Sequence, residues 1–239
     1  MTDSSEVRIS LGEAAYRRLR ADIVSCRLAP GRRFTEKQLA KETGFGTSPL
    51  REALTRLDQE GMIRTLPRKG YQVTRLTPKS VGDLLELWGI IAPELLRRGV
   101  TRGTLEQKQR VAAGFEELDR VGREPPGDAT AMRLVELLDE VFAVLAQASG
   151  NDYLINWFQR LSGDLARVWV IVLSTEPSAV MGTDPVDFFS TKIVIEQDAD
   201  AIAESVRHYL AQFRERVLRV VSRWPSVEHT EIVPLRSHS

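Results

Sequence analysis

Four basic side chains in the first third of the chain stand at positions that suit contacts with nucleic acid. Lys37 opens the first of two short segments with apolar residues at helical spacing, and Arg51 lies near the start of the second. Arg68 and Lys69 follow as a pair. Arginine can bind a guanine edge through two parallel hydrogen bonds, and lysine neutralises phosphate. The group predicts a nucleic-acid-binding surface, although any one of these residues alone could belong to a solvated face or a protein-binding module.

The segments that carry Lys37 and Arg51 predict a helix-turn-helix. Thr35 followed by Gln38 is typical of a capping box at a helix start, and Gly44 is typical of a helix end. In the second segment, Ser48 can cap a helix that has a proline at its first position, where a missing N–H has no cost. Because the apolar residues repeat at three and four, the opposite, basic face of this helix is left exposed.

A basic hairpin is predicted directly after the second helix. Residues 63–66 and 71–76 alternate between apolar and polar side chains, as paired strands do. The connection, Pro67 to Gly70, would place Arg68 and Lys69 at the tip, where they suit a minor groove or a phosphate. Two helices and a hairpin in this order predict a winged helix-turn-helix, whose second helix fits the major groove of DNA.

The joint spacing of these positions resembles the GntR family of bacterial transcription regulators. The match covers roughly the first third of the chain. It is carried by Pro30-Gly31, Leu39-Ala40, Pro49 to Leu54, Arg56-Leu57, Glu60 to Ile63 and Gly70 to Val73.

The resemblance implies DNA contacts on both helices and on the wing. Many members of the family have an arginine where this chain has Thr47, so one charged contact is replaced by a hydroxyl. The DNA-binding residues expected from the resemblance and from the basic hairpin are Lys37, Gly46, Thr47, Ser48, Arg51, Arg68, Lys69 and Gly70.

Charge is divided unequally along the chain. Residues 1–76 hold fifteen Lys and Arg against nine Asp and Glu, whereas the remainder holds eighteen against twenty-four. A phosphate backbone attracts the first part and repels the second. We therefore expect only the N-terminal part to contact DNA.

Composition places the chain among globular proteins. Hydrophobic residues make up 42% and charged residues 28%, which is ordinary for a folded domain. Cys26 is the sole cysteine, which excludes an intrachain disulfide and a thiolate metal cluster. Since no apolar run could span a membrane and no signal-peptide pattern is present, we expect a cytoplasmic protein.

The second part of the chain predicts helices alone. Thr77-Pro78 marks the boundary, because proline ends a strand and can begin a helix. The fold class expected is mainly α, with a winged helix-turn-helix followed by an all-α antiparallel bundle. The predicted domains are a flexible arm at 1–9, a DNA-binding domain at 10–76, a helical domain at 77–223 and a tail at 224–239. The helices expected in the helical domain lie near 79–98, 104–121, 129–148, 152–174, 185–197 and 200–223.

The helical part resembles the FCD domain of the FadR branch of the family, which binds an effector and pairs two subunits. Many FCD domains hold a divalent metal with one aspartate and three histidines. Asp139 stands at the aspartate position, but Ala143 and Asp187 occupy two histidine positions, and only His208 could serve as the third. Losing two of four ligands favours no metal and no cofactor. A weak site for a harder ion, made by Asp139, Asp187 and His208, is the alternative.

The effector pocket implied by this resemblance departs from the family in a second way. Ile90 stands where many FCD domains have an arginine that binds a carboxylate effector. We therefore expect a less polar or larger effector, or none. The aromatic candidates could equally be plain core, and His208 a helix residue bonded to a neighbour. The pocket residues expected are Trp88, Ile90, Asp139, Phe142, Ala143, Trp157, Trp169, Asp187 and His208.

These patterns together predict a homodimeric transcription regulator, in the first instance a ligand-responsive repressor on a palindromic operator. The alternative is a DNA-binding protein whose helical domain serves only for dimerisation or protein interaction. An enzyme is disfavoured, because the chain has one cysteine, three histidines of which two are near the C-terminus, and no Gly-rich phosphate loop.

Overall fold

The computed structural model describes residues 10–176 and 198–223. These residues form two compact units divided between Arg75 and Leu76. The expected arm at 1–9, the expected helix at 185–197 with Asp187, and the expected tail at 224–239 lie outside the described residues. Each unit is described by itself below.

The first unit is a winged helix-turn-helix with a three-stranded sheet. Its sheet is antiparallel throughout and has the strand order β1-β3-β2. The apolar face of α3 is fully buried, as its spacing predicts. The elements are α1 (Leu11–Val24), β1 (Arg33–Phe34), α2 (Glu36–Thr43), α3 (Thr47–Gln59), β2 (Ile63–Leu66) and β3 (Gly70–Val73).

The helix boundaries follow local capping chemistry, with one correction. Thr35 and Gln38 form the predicted capping box at the start of α2, and Gly44 ends that helix in the left-handed conformation, with φ 77°. The start of α3 differs from the prediction: Gly46 is the N-cap and no side chain caps the helix. Ser48 therefore lies inside the first turn. Pro49 is the third helical residue, where its missing N–H is still harmless because the first four N–H groups have no partner within the helix.

Strand β1 is an element that the sequence did not predict. Arg33 pairs with Gln72, and Phe34 pairs with Tyr71. The rings of Phe34 and Tyr71 stack with their centroids 5.9 Å apart. Two residues are too few to show an alternating pattern, so only the pairing with β3 identifies them as a strand.

Helix α1 is joined to α3 by a polar cluster around Tyr16. The Tyr16 hydroxyl donates to the Glu60 carboxylate at 2.8 and 3.0 Å. The Arg56 guanidinium lies 3.6 Å from the centroid of the Tyr16 ring. Burial and the neighbouring Glu60 carboxylate raise the pKa of Tyr16 to about 12, so the hydroxyl remains a donor at neutral pH. The cluster links α1 to α3, the second helix of the helix-turn-helix.

Tyr16→Phe is expected to lower the opening free energy of the first unit by about 1.5 kcal/mol, because it removes a hydrogen bond to a charged carboxylate. Hydrogen exchange of buried amides within residues 10–75 measures this opening. Tyr153→Phe is the control, since Tyr153 is 80% exposed in the second unit and its hydroxyl should not contribute. Equal protection in all three proteins would contradict the role given to the Tyr16 hydroxyl.

The second unit is helical throughout its described residues. Helix α4 packs against α6, α7 and α8, while α5 packs on α6 and α6 on α7. Gly99 in α4 faces Leu145 in α6, and a Cβ at Gly99 would meet the Leu145 side chain at 2.5 Å. The predicted fold class, mainly helical with an N-terminal winged helix-turn-helix and a helical C-terminal part, is confirmed. The helices are α4 (Pro78–Arg102), α5 (Leu105–Gly122), α6 (Asp128–Ala148), α7 (Asp152–Thr175) and α8 (Ala199–Ser222).

Aromatic side chains form two groups in the core of the second unit. Trp88 meets Phe142 edge to face at 4.7 Å between centroids and lies 6.2 Å from Phe158. Trp169 and Phe213 lie 4.4 Å apart. None of the helices within the described ranges has the length and apolar character needed to cross a membrane.

Candidate nucleic-acid interface

The predicted DNA-binding residues of the two helices are exposed at the starts of α2 and α3. Lys37 is the second residue of α2. Gly46, Thr47 and Ser48 form the start of α3, and Arg51 follows in its second turn. All five are exposed, so the starts of both helices are accessible to a ligand.

The Glu36 carboxylate connects α2, α3 and the wing. Its Oε2 accepts from Arg51 Nη2 at 2.9 Å, and its Oε1 accepts from Arg51 Nε at 3.3 Å. The Tyr71 hydroxyl donates to the same Oε1 at 3.1 Å. Glu36 is the first residue of α2, and Tyr71 lies in β3. One carboxylate thus holds side chains from α3, the candidate recognition helix, and from the wing.

Electrostatics keeps this group in a defined charge state. The hydrogen bond from Arg51 is the main cause that lowers the pKa of Glu36, with Tyr71 adding to it. The bond to Glu36 also raises the pKa of Arg51. Burial, followed by the hydrogen bond to Glu36, raises the pKa of Tyr71. At neutral pH the group is therefore a carboxylate, a guanidinium and a neutral phenol.

Glu36 was not among the residues predicted for this site. An acidic residue in the first turn of a helix is explained by the helix dipole alone. Its partner Arg51 lies 15 residues away, and Tyr71 lies 35 residues away. Only the three-dimensional arrangement of α2, α3 and β3 brings the three together.

The wing tip is a tight turn that exposes its two basic residues. The backbone N–H of Lys69 donates to the Leu66 carbonyl at 2.9 Å, which closes the turn. Arg68 has φ 61° and Gly70 has φ 86°. A Cβ at Gly70 would lie 2.3 Å from the Phe34 carbonyl oxygen. Glycine is therefore required both by the backbone angle and by the close approach of β1.

A second carboxylate fixes the wing to the other end of α3. Asp58 Oδ1 accepts from the Thr65 backbone N–H at 3.1 Å, and Oδ2 accepts from the Thr65 hydroxyl at 2.9 Å. Asp58 therefore binds strand β2 of the hairpin, and Glu36 binds strand β3. The wing and α3 are therefore joined by hydrogen bonds at two places, through Asp58 and through Glu36.

An exposed recognition helix joined to a basic wing is the arrangement of winged helix-turn-helix DNA-binding proteins. Residues 11–73 match the family described as bacterial regulatory proteins, gntR family. The chain is a DNA-binding transcription regulator whose N-terminal helix-turn-helix domain matches the gntR family and whose C-terminal domain is helical.

Known relatives share this description. The HTH-type transcriptional repressor RspR of Escherichia coli is 24% identical over 88% of this chain and 90% of its own length. The HTH-type transcriptional regulator BphR of Paraburkholderia xenovorans is 34% identical, but the alignment spans only 52% of this chain and 54% of BphR. The solved structure of E. coli McbR/YncC has the same fold, with a TM-score of 0.67 at 16% identity over 90% of this chain and 98% of that one.

A small cavity of about 20 Å³ lies between α4, α6 and α7 of the helical unit. Four of the residues expected in an effector pocket line it. They are Trp88, Asp139, Phe142 and Trp169. Six further residues that the sequence did not suggest complete the lining: Val135, Leu138, Phe158, Ser162, Leu165 and Ala166.

The other expected pocket residues within the described ranges do not line this cavity. Ile90 is 68% exposed and Trp157 is 47% exposed. Ala143 is exposed, and exposed His208 lies 2.8 Å from its helix neighbour Gln212. The reason is helical geometry: Ala143 and Trp157 are next in sequence to residues that line the cavity, and neighbours on a helix point about 100° apart.

The alternative metal site is not assembled within the described ranges. Asp187 lies outside them. Among the residues described, no three of His, Cys, Asp and Glu are grouped so that they could hold a metal ion. Asp139 lines the cavity, whereas His208 is on the exposed face of α8.

Proposed function

We propose that this regulator is a repressor that binds an inverted-repeat operator as a homodimer. Residues 10–76 would be the DNA-binding domain, with α3 in the major groove and the wing tip on the adjacent backbone or minor groove. The observation that carries the proposal is the exposed basic surface formed by Lys37, Arg51, Arg68 and Lys69 around the start of α3. Such a surface combines base reading by arginine with phosphate contacts.

The choice of repression and of a dimer rests on further considerations. RspR, which aligns with most of this chain, is named a repressor. A dimer with twofold symmetry reads two half-sites, and its second domain sets their spacing. We assign that task to the helical domain, residues 77–223, and place the protein with the bacterial DNA in the cytoplasm.

The helical domain would also hold an effector in the cavity between α4, α6 and α7. Its lining is mostly apolar and aromatic, with the Asp139 carboxylate and the Ser162 hydroxyl as polar groups. We therefore propose a largely apolar effector. An effector that fits the DNA-competent and DNA-incompetent arrangements unequally would shift the population between them.

A specific observation also supports the alternative, in which the helical domain only pairs subunits or binds another protein. The cavity volume of about 20 Å³ has room for about one water molecule and is far below the range of about 300–1,000 Å³ usual for small-molecule sites, so an effector would have to displace the lining side chains. A melting-temperature measurement separates the two functions, because an effector that binds the folded protein raises its melting temperature by mass action. Absence of such a rise across a library of apolar and carboxylate compounds would favour the pairing module.

The DNA-binding proposal is tested by selecting bound duplexes from a random pool with the purified protein. Enrichment of an inverted repeat supports both sequence-specific DNA binding and the dimer. Enrichment of a single half-site supports sequence reading but contradicts the dimer. If no sequence is enriched, the proposal fails.

Lys69→Ala is expected to weaken binding to all duplexes equally and to reduce the slope of log affinity against log salt by about 1 per wing. The physical reason is that lysine at the wing tip neutralises a phosphate and carries no base preference. Lys79→Ala serves as control, since Lys79 is an exposed lysine of α4 paired with Asp83. A change of sequence preference in Lys69→Ala would show that the wing reads bases.

A further inference from the structure

We propose that Glu36 is a positioning residue for sequence recognition, which holds the Arg51 guanidinium so that its outer edge is presented to a guanine. The inference rests on the proposed DNA-binding function and adds a residue to it. Its basis is the bidentate contact between Arg51 and a carboxylate from a different helix.

The atoms used in this contact determine what Arg51 can still bind. Nε and Nη2 donate to the two oxygens of Glu36. A guanidinium has five N–H groups in a rigid plane. The pair of N–H groups at the Nη1 and Nη2 end therefore remains for another acceptor. Two parallel donors at one end of the plane match O6 and N7 of guanine, the commonest base contact of arginine.

Glu36 is itself held in place, which makes it suitable as a support. The Tyr71 hydroxyl donates to its Oε1 at 3.1 Å, and its side chain is 24% exposed. The Arg51 side chain, by contrast, is 68% exposed. A long exposed side chain loses rotamer freedom when it binds, and a fixed partner reduces that loss. The contact therefore orders Arg51 before DNA arrives.

The carboxylate also has an effect on binding to unrelated sequences. A negative charge next to Arg51 weakens its attraction to phosphates, which are present in every duplex. A guanine edge is bound by directed hydrogen bonds and is affected less. Glu36 thus increases the difference in affinity between the correct sequence and other sequences in two ways, by orienting Arg51 and by its charge.

The test compares Glu36→Gln with Glu42→Gln. Glu42 is a matched control, because it lies on the same helix α2, pairs with an arginine, Arg32, and loses the same charge on substitution. Each protein is used in selection from a random duplex pool, followed by competition between duplexes that differ at single positions. We expect Glu36→Gln to lose its guanine preference at one position of each half-site by about 10-fold and to bind random duplexes more tightly, while Glu42→Gln keeps the preference of the native protein.

Two further variants separate positioning from a general structural effect. In an Arg51→Ala background, Glu36→Gln should no longer change the preference at that position. Tyr71→Phe removes the hydroxyl that holds Glu36 and should reduce the same preference by a smaller factor. Melting temperatures of the variants exclude loss of folding, and Tyr71→Phe provides the test if Glu36→Gln does not fold.

Three outcomes would overturn the inference. One is an unchanged guanine preference in Glu36→Gln. A second is a uniform rise in affinity for all sequences, which would mean that the negative charge of Glu36 only weakens DNA binding and has no part in sequence preference. A third is failure of the native protein to enrich any sequence, which would overturn the proposed function together with the inference. The first two leave the proposed function intact.

Discussion

Arg51→Ala is expected to abolish the preference for one operator sequence while leaving weak binding to every duplex. Each bidentate arginine–guanine contact discriminates against the wrong base by about 1–3 kcal/mol, and a dimer has two of them. The ratio of specific to non-specific affinity should therefore fall by about 30- to 20,000-fold. Competition between the selected duplex and a scrambled one, at one fixed salt concentration, measures this ratio.

The control for this prediction is another exposed arginine of the first unit. Arg17 on α1 is 63% exposed and pairs with Glu13 on the same helix. Arg17→Ala removes the same charge, so it should lower affinity for all sequences slightly and leave the preference intact. Retention of the native preference in Arg51→Ala would refute the role of Arg51 in base recognition and with it the support assigned to Glu36.

Gly70→Ala is expected to disrupt the wing and with it DNA binding of any kind. The added Cβ would lie 2.3 Å from the Phe34 carbonyl oxygen and 3.3 Å from the Thr35 Cα, which are backbone atoms that cannot rotate away. Thr35 caps α2, so the displacement extends from the sheet to the helix-turn-helix. With the added strain of φ 86°, the opening free energy should fall by about 2–5 kcal/mol.

Gly61→Ala separates the backbone strain of this substitution from its steric effect. Gly61 has φ 74°, but a Cβ there would meet nothing within 4 Å. Gly61→Ala should therefore lower the opening free energy only by the backbone strain, about 1 kcal/mol. Hydrogen exchange within residues 10–75 and affinity for a random duplex are the two measurements. If Gly61→Ala and Gly70→Ala lose the same protection, close packing of the wing on Phe34 is not what requires glycine.

The sequence predicted those parts of the fold that depend on local chemistry. The capping box of Thr35 and Gln38 and the glycine stop at Gly44 act within one helical turn, so their residues are visible in order along the chain. The apolar stripes of α3 and of the long helices are equally local. The start of α3 was misjudged because serine before proline is a frequent cap, yet Gly46 takes that position and the helix begins earlier.

The arrangement around the candidate site could not be predicted in the same way. The contact of Glu36 with Arg51 and Tyr71 joins three elements and depends on how they pack. Strand β1 exists only through its pairing with β3. In the helical domain the aromatic residues were recognised, but Trp157 was assigned to the cavity because composition does not tell which face of a helix is buried. Ile90 was assigned to it only because a resemblance placed it at the position of an effector-binding arginine.

The position of the tryptophans has a consequence for measuring communication between the two domains. All four follow residue 76, and two of them, Trp88 and Trp169, line the cavity. The fluorescence of Trp88 and Trp169 therefore responds to the helical domain, and no tryptophan of the DNA-binding domain obscures it. Thermodynamic linkage is reciprocal: an effector that weakens DNA binding by some factor is itself weakened by DNA to the same degree. A change in tryptophan emission when operator DNA is added would thus reveal the coupling before any effector has been identified.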